Sequence, residues 1–147
     1  IPSNINNESD GSHNGDNYIA YTFYAANQGN ESIDYWYSII IDDVIKNVDE
    51  AVRVMIFLND EKTVYAKKNS YTGMEEKDTK SFYADDEAVL ENRKEFAPGD
   101  IDKFTVVIWL EGDDPDCVDS ILGGEIKMHM EIREEHKGEE NGKETKE

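Results

Sequence analysis

Residues 124–134 read Gly-Glu-Ile-Lys-Met-His-Met-Glu-Ile-Arg-Glu, and their large apolar side chains recur at every second position. In an extended strand, successive side chains point to opposite faces, so this period places one set in a core and the other in water. A helix would instead bring together residues that are three or four positions apart. The stretch therefore predicts an amphipathic β-strand with Ile126, Met128, Met130 and Ile132 facing inward.

Similar runs recur along the chain and predict further strands, because aromatic and β-branched residues favour sheets. The run at 35–42 is apolar on both faces for most of its length, which indicates a central position. Residues 87–96 fit either a strand or a helical turn. Turn residues such as those at 97–100 separate the runs. The other predicted strands are 18–26, 51–58, 63–67, a short one near 81–84, and 102–110.

Together these runs predict an all-β fold, an antiparallel β-sandwich of seven or eight strands in two packed sheets. A jelly roll and an immunoglobulin-like strand order both fit the pattern. One short helix is expected over Pro115–Leu122. Asp114 followed by Pro115 is typical of a helix start, and Gly123 is typical of the position just after a helix.

The chain length of 147 residues suits a single domain. Residues 1–17 and 134–147 are polar, so we predict a disordered N-terminal segment, a sandwich domain over 18–133 and a disordered acidic tail. The chain begins at Ile1 without Met, as a mature product does after its signal segment is removed. The absence of a signal segment from this chain therefore does not argue for the cytoplasm. No apolar run is long enough to predict direct membrane insertion.

The net charge is −19, from 34 acidic and 15 basic residues. Nucleic acid and anionic lipid bind Lys and Arg that displace their counterions, so this balance predicts no nucleic-acid partner. It favours solubility, cations and basic partners. Cys117 is the single cysteine, which excludes an intrachain disulfide, and it is expected to be a buried, inert thiol.

Carboxylates are concentrated in the loop after the 102–110 strand. Oxygen-rich loops suit calcium, so this loop is the candidate metal site, and no other cofactor is expected. The alternative is that Asp114 caps the short helix while its neighbours favour the positive end of the helix dipole. The loop lacks the spacing of acids, Gly and distal Glu that marks helix-loop-helix calcium sites. The candidate ligands are Glu111, Asp113, Asp114, Asp116 and Asp119.

Residues with catalytic potential form no recognised motif. The chain has no His-Glu-x-x-His pair and no Gly-x-Ser-x-Gly turn. His13 and His136 fall in the polar ends, and His129 is expected to be exposed on the polar face of the last strand. Acidic pairs such as Asp42–Asp43 and Asp85–Asp86 are compatible with glycoside hydrolysis only if a cleft joins them. We therefore predict that the protein is not an enzyme.

Aromatic residues offer a second binding chemistry, because flat rings stack on sugars. Trp36, Trp109 and most of the eight tyrosines fall within strand patterns. Core packing explains such positions as well as a sugar platform does. A glycan-binding surface therefore stays open beside the calcium loop.

The stretch 109–124, which begins Trp-Leu-Glu-Gly-Asp-Asp-Pro-Asp-Cys and ends Gly-Gly, resembles a group of secreted proteins of Gram-positive bacteria. Residues 18–29 are similar to the first strand and turn of that group. More distantly, the chain resembles the TasA/camelysin group of biofilm matrix and surface proteins, which have a jelly-roll sandwich. The resemblance implies export, a surface or matrix setting and self-assembly.

Two properties of that group do not carry over. Camelysin carries a protease label, but no metal-binding His pair is present in this sequence. Assembly in the group uses an N-terminal segment, whereas residues 1–17 here are polar apart from Ile1 and Ile5. We predict a structural, matrix or adhesive role, with other surface or matrix proteins or a second copy as partners. The alternative is a calcium- or glycan-binding module.

Overall fold

The computed structural model describes residues 1–45, 47–111 and 125–136, the side chains of residues 125 and 136 excepted. The predicted helix Pro115–Leu122, Cys117 and the tail beyond residue 136 lie outside these ranges. One-turn 3₁₀ helices occupy Ile5–Asn7 and Val48–Glu50. The strands are β1 (Gly11–Ser12), β2 (Ile19–Ala26), β3 (Ile33–Ile45), β4 (Val52–Leu58), β5 (Glu61–Ala66), β6 (Lys80–Ser81), β7 (Glu87–Phe96), β8 (Ile101–Leu110) and β9 (Glu125–His136).

The strands form two sheets, and the predicted all-β sandwich is confirmed. The large sheet has the order β1-β2-β8-β4-β5-β6, and the small sheet has the order β7-β3-β9. Neighbouring strands are antiparallel, except that β5 and β6 run parallel. From β2 onward the chain changes sheet at β3, β4, β7, β8 and β9, so each face of the core combines distant parts of the sequence.

Strand β3 lies at the centre of the small sheet, as its apolar character predicts. It is longer than expected, because the polar stretch after Ile41 stays extended and pairs with β9 across a register shift between Ile41 and Asp43. Residues 87–96 form strand β7 and not a helical turn. The short strand predicted near 81–84 is present as β6 at residues 80–81.

The main core lies between the sheets. Val54, Val89 and Phe104 are fully buried in it. Three of the four predicted inward residues of β9 pack against it from the small sheet, and the fourth, Ile132, is 42% exposed. Rings of Tyr37 and Phe104 meet edge to face at 5.1 Å. Each fully buried Val or Phe side chain contributes about 1.5–3 kcal/mol of hydrophobic stabilisation.

The outer face of the large sheet is also covered. Ile5 is only 4% exposed and packs with Ala20, Met55 and Val107 in a second apolar cluster. The Lys103 ammonium donates to the carbonyl of Asn6 at 2.6 Å. The sequence predicts disorder for the chain before Tyr18, but this segment contacts the large sheet. One apolar residue and several hydrogen bonds hold it there although it is mostly polar. The domain boundaries stay a prediction.

Candidate functional site

One edge of the sandwich, between β5 and β7, is closed by side chains that cross from sheet to sheet. The hydroxyl of Tyr65 on β5 donates to Glu91 of β7 at 2.9 Å, and the Lys80 ammonium pairs with the same carboxylate at 2.6 Å. Burial, followed by the hydrogen bond to Glu91, raises the pKa of the Tyr65 hydroxyl. Burial also raises the pKa of Tyr37 to about 12. Both hydroxyls stay protonated at physiological pH, and that of Tyr65 serves as a fixed donor to Glu91.

A second polar bridge joins β7 to β8. The Asp102 side chain accepts from Arg93 Nε at 2.7 Å and Nη2 at 3.1 Å, from the Tyr35 hydroxyl at 2.6 Å and from Asn59 Nδ2 at 3.1 Å. Burial acts to raise the pKa of Asp102, but hydrogen bonds from Arg93, Tyr35 and Asn59 outweigh it and hold that pKa below its usual value. With Asp102 1% exposed and its acceptor sites occupied, the bridge is structural.

Among the described residues, nothing closes the opposite edge, between β2 and β9. An apolar groove of about 480 Å³ runs between the sheets there. Strands β2, β8 and β9 supply eight of its nine lining residues, and β3 supplies Ile39. The eight are Tyr21 and Phe23, Val106 and Ile108, and Met128, His129, Met130 and Ile132.

Along β2 the inward side chains are more exposed than the outward ones, which is the reverse of the pattern in a simple sandwich. Ile19 and Tyr21, which share the inward face with Phe23, are 59% and 48% exposed. Ala20 and Thr22, which face outward, are fully buried by the N-terminal segment. In the described ranges the small sheet has three strands against six in the large one, so it stops short of β2 and does not cover these apolar side chains.

Strand β9 forms the lip of this groove. It pairs with β3 from Ile33↔His136 to Ile45↔Glu125, and within the described ranges it pairs with no other strand. In an antiparallel strand paired on one side, alternate main-chain N–H and C=O groups on the far side lack a sheet partner. The groove therefore has an apolar floor and a hydrogen-bonding rim of twelve residues.

The outer row of β9 is charged. His129 Nδ1 lies 2.7 Å from an Asp42 carboxylate oxygen of β3, and its Nε2 lies 2.8 Å from Glu131. The hydrogen bond to Asp42, followed by the one to Glu131, raises the pKa of His129 above its ordinary value. His129 is exposed, as the period-two pattern predicts.

Of the five candidate calcium ligands, Glu111 alone is described. Its carboxylate accepts from Trp109 Nε1 at 3.1 Å. Asp113, Asp114, Asp116 and Asp119 lie outside the described ranges, so the calcium site stays a prediction. Across the residues that the structure does describe, no three His, Cys, Asp or Glu side chains are grouped to hold a metal ion.

The groove is the feature that sequence reasoning missed. Residues 18–26 are rich in aromatics, and that composition predicts a strand packed in the core. Whether an inward residue is covered depends on the number of strands in the opposite sheet, which no local pattern reveals. The Trp109 ring packs on the second apolar cluster and is partly buried there, and the aromatic platform for sugars stays a prediction.

Comparison with known protein families, with curated proteins and with solved structures found no match. The resemblance to the TasA/camelysin group therefore stays a prediction. None of the helices in the described ranges has the length and apolar character needed to cross a bilayer.

Proposed function

We propose that the protein is a non-enzymatic, secreted or cell-surface sandwich with a structural, matrix or adhesive role. It acts by accepting an extended segment of another chain beside β9. The observation that supports this proposal is the conjunction of a long edge strand, paired on one side among the described residues, with an uncovered apolar groove next to it. Exposed edges of this kind add strands from other chains.

The groove lies beside the edge of the small sheet at which a further strand would add. A strand added to β9 would lie about 4.8 Å beyond it, above the exposed side chains of β2. Alternate side chains of the added strand would then enter the groove and bury Tyr21 and Phe23, while the others would face solvent. Main-chain hydrogen bonds to β9 supply affinity, and the groove selects apolar residues at every second position.

The charged row of β9 specifies the added strand further. Opposite charges across an antiparallel pair stabilise it, so acids fit opposite Lys127 and Arg133, and a base fits opposite Glu131. The sequence of β9 itself satisfies these conditions. In one antiparallel register it places Lys127 opposite a Glu131 and Met128 opposite a Met130. A synthetic peptide of residues 125–133 is therefore a suitable probe strand.

Two tyrosines of β2 provide a matched pair of variants for the test. Tyr21 in the groove is 48% exposed, and Tyr24 on the outward face of the same strand is 50% exposed. We expect Tyr21→Glu to weaken peptide binding about tenfold or more, because a charge would be buried under the added strand. Tyr24→Glu should leave binding within about twofold of the parent protein, as surface substitutions usually do.

Fluorescence anisotropy of the labelled peptide measures both variants. Equal binding by the two variants, or no binding by the parent protein at millimolar concentration, would contradict the proposal. Light scattering then identifies the partner. A molar mass that rises with concentration assigns the added strand to a second copy, and a constant monomer mass assigns it to a different surface or matrix protein.

A further inference from the structure

We propose that Asp42, His129 and Glu131 form a pH-sensitive clamp that holds β9 in the conformation to which a further strand adds. This inference rests on the proposed function, because it concerns the regulation of the same edge. The clamp connects the edge strand to β3, its partner in the small sheet, through exposed side chains of the outer row of β9, and His129 is also among the residues that line the groove.

The two contacts of His129 define its protonation state. Nδ1 is 2.7 Å from Asp42 and Nε2 is 2.8 Å from Glu131, and a carboxylate oxygen only accepts. A neutral imidazole carries one N–H and can donate to one of these carboxylates only. Both contacts together require the imidazolium, so the clamp exists when His129 is protonated and loses one contact when the proton leaves.

Asp42 lies at an irregularity in the pairing of β3 with β9, so its contact with His129 affects how firmly β9 is held. The pairing of β3 with β9 shifts register between Ile41 and Asp43, so Asp42 is the extra residue of a bulge. A bulge interrupts the ladder of main-chain hydrogen bonds. The contact from Asp42 to His129 bridges this interruption by side chains. In the described part of the chain, β3 is the one strand that pairs with β9. An interruption in the hydrogen bonds between β3 and β9 therefore makes β9, the strand to which a partner would add, less rigid.

The surrounding charges come from three strands. Strand β3 contributes Asp43 next to Asp42, and β9 contributes Lys127 and Arg133 on the same outer row. Strand β7, beyond β3, contributes Glu87, which pairs with Ile40, the β3 residue opposite His129. Imidazole is the group in this set whose ordinary pKa lies nearest neutrality, so His129 is the switch.

The direction of the effect follows from the raised pKa of His129. A group whose pKa is higher in the folded state stabilises that state fully below its ordinary pKa, and loses this contribution as the pH rises through the folded value. The clamp is thus closed in mildly acidic solution and open in alkaline solution. Opening also changes the charge of the three groups from −1 to −2, which repels an acidic partner such as a second copy.

Nuclear magnetic resonance of the full chain tests the clamp without any added strand. We expect His129 to titrate above the ordinary imidazole pKa of about 6.5, and Asp42→Asn to lower that pKa. Asp43→Asn, one residue away, is the control and should leave it nearly unchanged. In the parent protein, protection factors of β9 amides relative to β8 amides should fall about threefold between about pH 6 and about pH 9. His129→Gln should abolish that pH dependence.

A His129 pKa at or below the ordinary value would overturn the clamp. So would β9 protection that does not change with pH, or that changes equally in His129→Gln. Because these measurements use the protein alone, they fail or succeed separately from peptide binding in the Tyr21 and Tyr24 variants. Loss of peptide binding with an intact titration of His129 would refute strand addition and leave the clamp as a local device of the small sheet.

Discussion

The two long edges of the sandwich differ in how the sheets meet. At the β5–β7 edge, Tyr65, Lys80 and Glu91 connect the sheets, and Phe82 packs against the main core. At the β2–β9 edge, apolar side chains from both sheets line an open groove. The specific polar contacts between the sheets thus lie at the β5–β7 edge, and the β2–β9 edge is the surface available to a partner. Functional surfaces are commonly drawn from the less stabilised parts of a protein.

Asp102→Asn should have the largest effect, because it breaks the bridge that helps to join the sheets. The substitution leaves the Arg93 guanidinium without its buried carboxylate, and we expect a loss of about 3 kcal/mol in the free energy of unfolding. Urea denaturation followed by tryptophan fluorescence measures it. Asp60→Asn, at an exposed turn, is the control. A loss below about 1 kcal/mol would show that the bridge does not stabilise the closed part of the sandwich.

The same carboxylate predicts the pH dependence of stability in acid. Its pKa is lowered in the folded protein, so its contribution is present above the ordinary carboxyl pKa and is lost as the pH falls through the lowered value. We expect stability to decline with acidification more steeply in the parent protein than in Asp102→Asn. Identical acid profiles for the two proteins would argue against this assignment.

Ile5→Ala should have the next largest effect on stability, because Ile5 is buried against the outer face of the large sheet. The variant tests whether the N-terminal segment covers that face of β2. Removing this buried side chain should cost about 2 kcal/mol. Ile1→Ala, at a residue that is 53% exposed, should change stability by less than about 0.5 kcal/mol. If thermal unfolding showed equal effects for the two variants, the N-terminal segment would not be fixed to the large sheet in solution.

Tyr65→Phe should weaken the closed edge moderately. The variant removes the hydroxyl that donates to Glu91 and retains the buried ring, so a loss of about 1.5 kcal/mol is expected for one hydrogen bond to a charged group. Tyr71→Phe, at an exposed loop position, is the matched control and should be neutral. A neutral Tyr65→Phe would remove the energetic contrast between the two edges.

Tyr21→Ser should have the smallest effect on folding, because the ring is half exposed at the open edge. A change within about 0.5 kcal/mol is expected for a surface position. Chemical denaturation of this variant beside Tyr65→Phe compares the two edges directly. A loss larger than that of Tyr65→Phe would show that the ring is covered in solution, and that the groove is not open.

The sequence predicts most strands because their inward residues recur at every second position, and in β9 Ile126, Met128 and Met130 alternate with polar residues. Strand β7 stays ambiguous at that level because two of its inward residues, Glu91 and Arg93, are charged and break the period. Their partners are distant in sequence, on β5 and β8, so their burial could not be foreseen.

The candidate site was less predictable than the fold. The last strand was identified correctly, but its place at an edge depends on the order of strands in the small sheet. Likewise, nothing in residues 19–23 distinguishes an uncovered aromatic face from a buried one. The contacts of His129 with Asp42 also depend on a bulge that becomes visible only in the paired strands.

Amide hydrogen exchange along β9 tests the open edge most directly. In the monomer, amides that point towards β3 should exchange slowly and those between them should exchange rapidly, which gives an alternating pattern over residues 126–135. Adding the 125–133 peptide should slow the rapid set and leave the slow set unchanged. Uniform protection along β9 before any peptide is added would contradict the account, because it would mean that another segment already covers this strand.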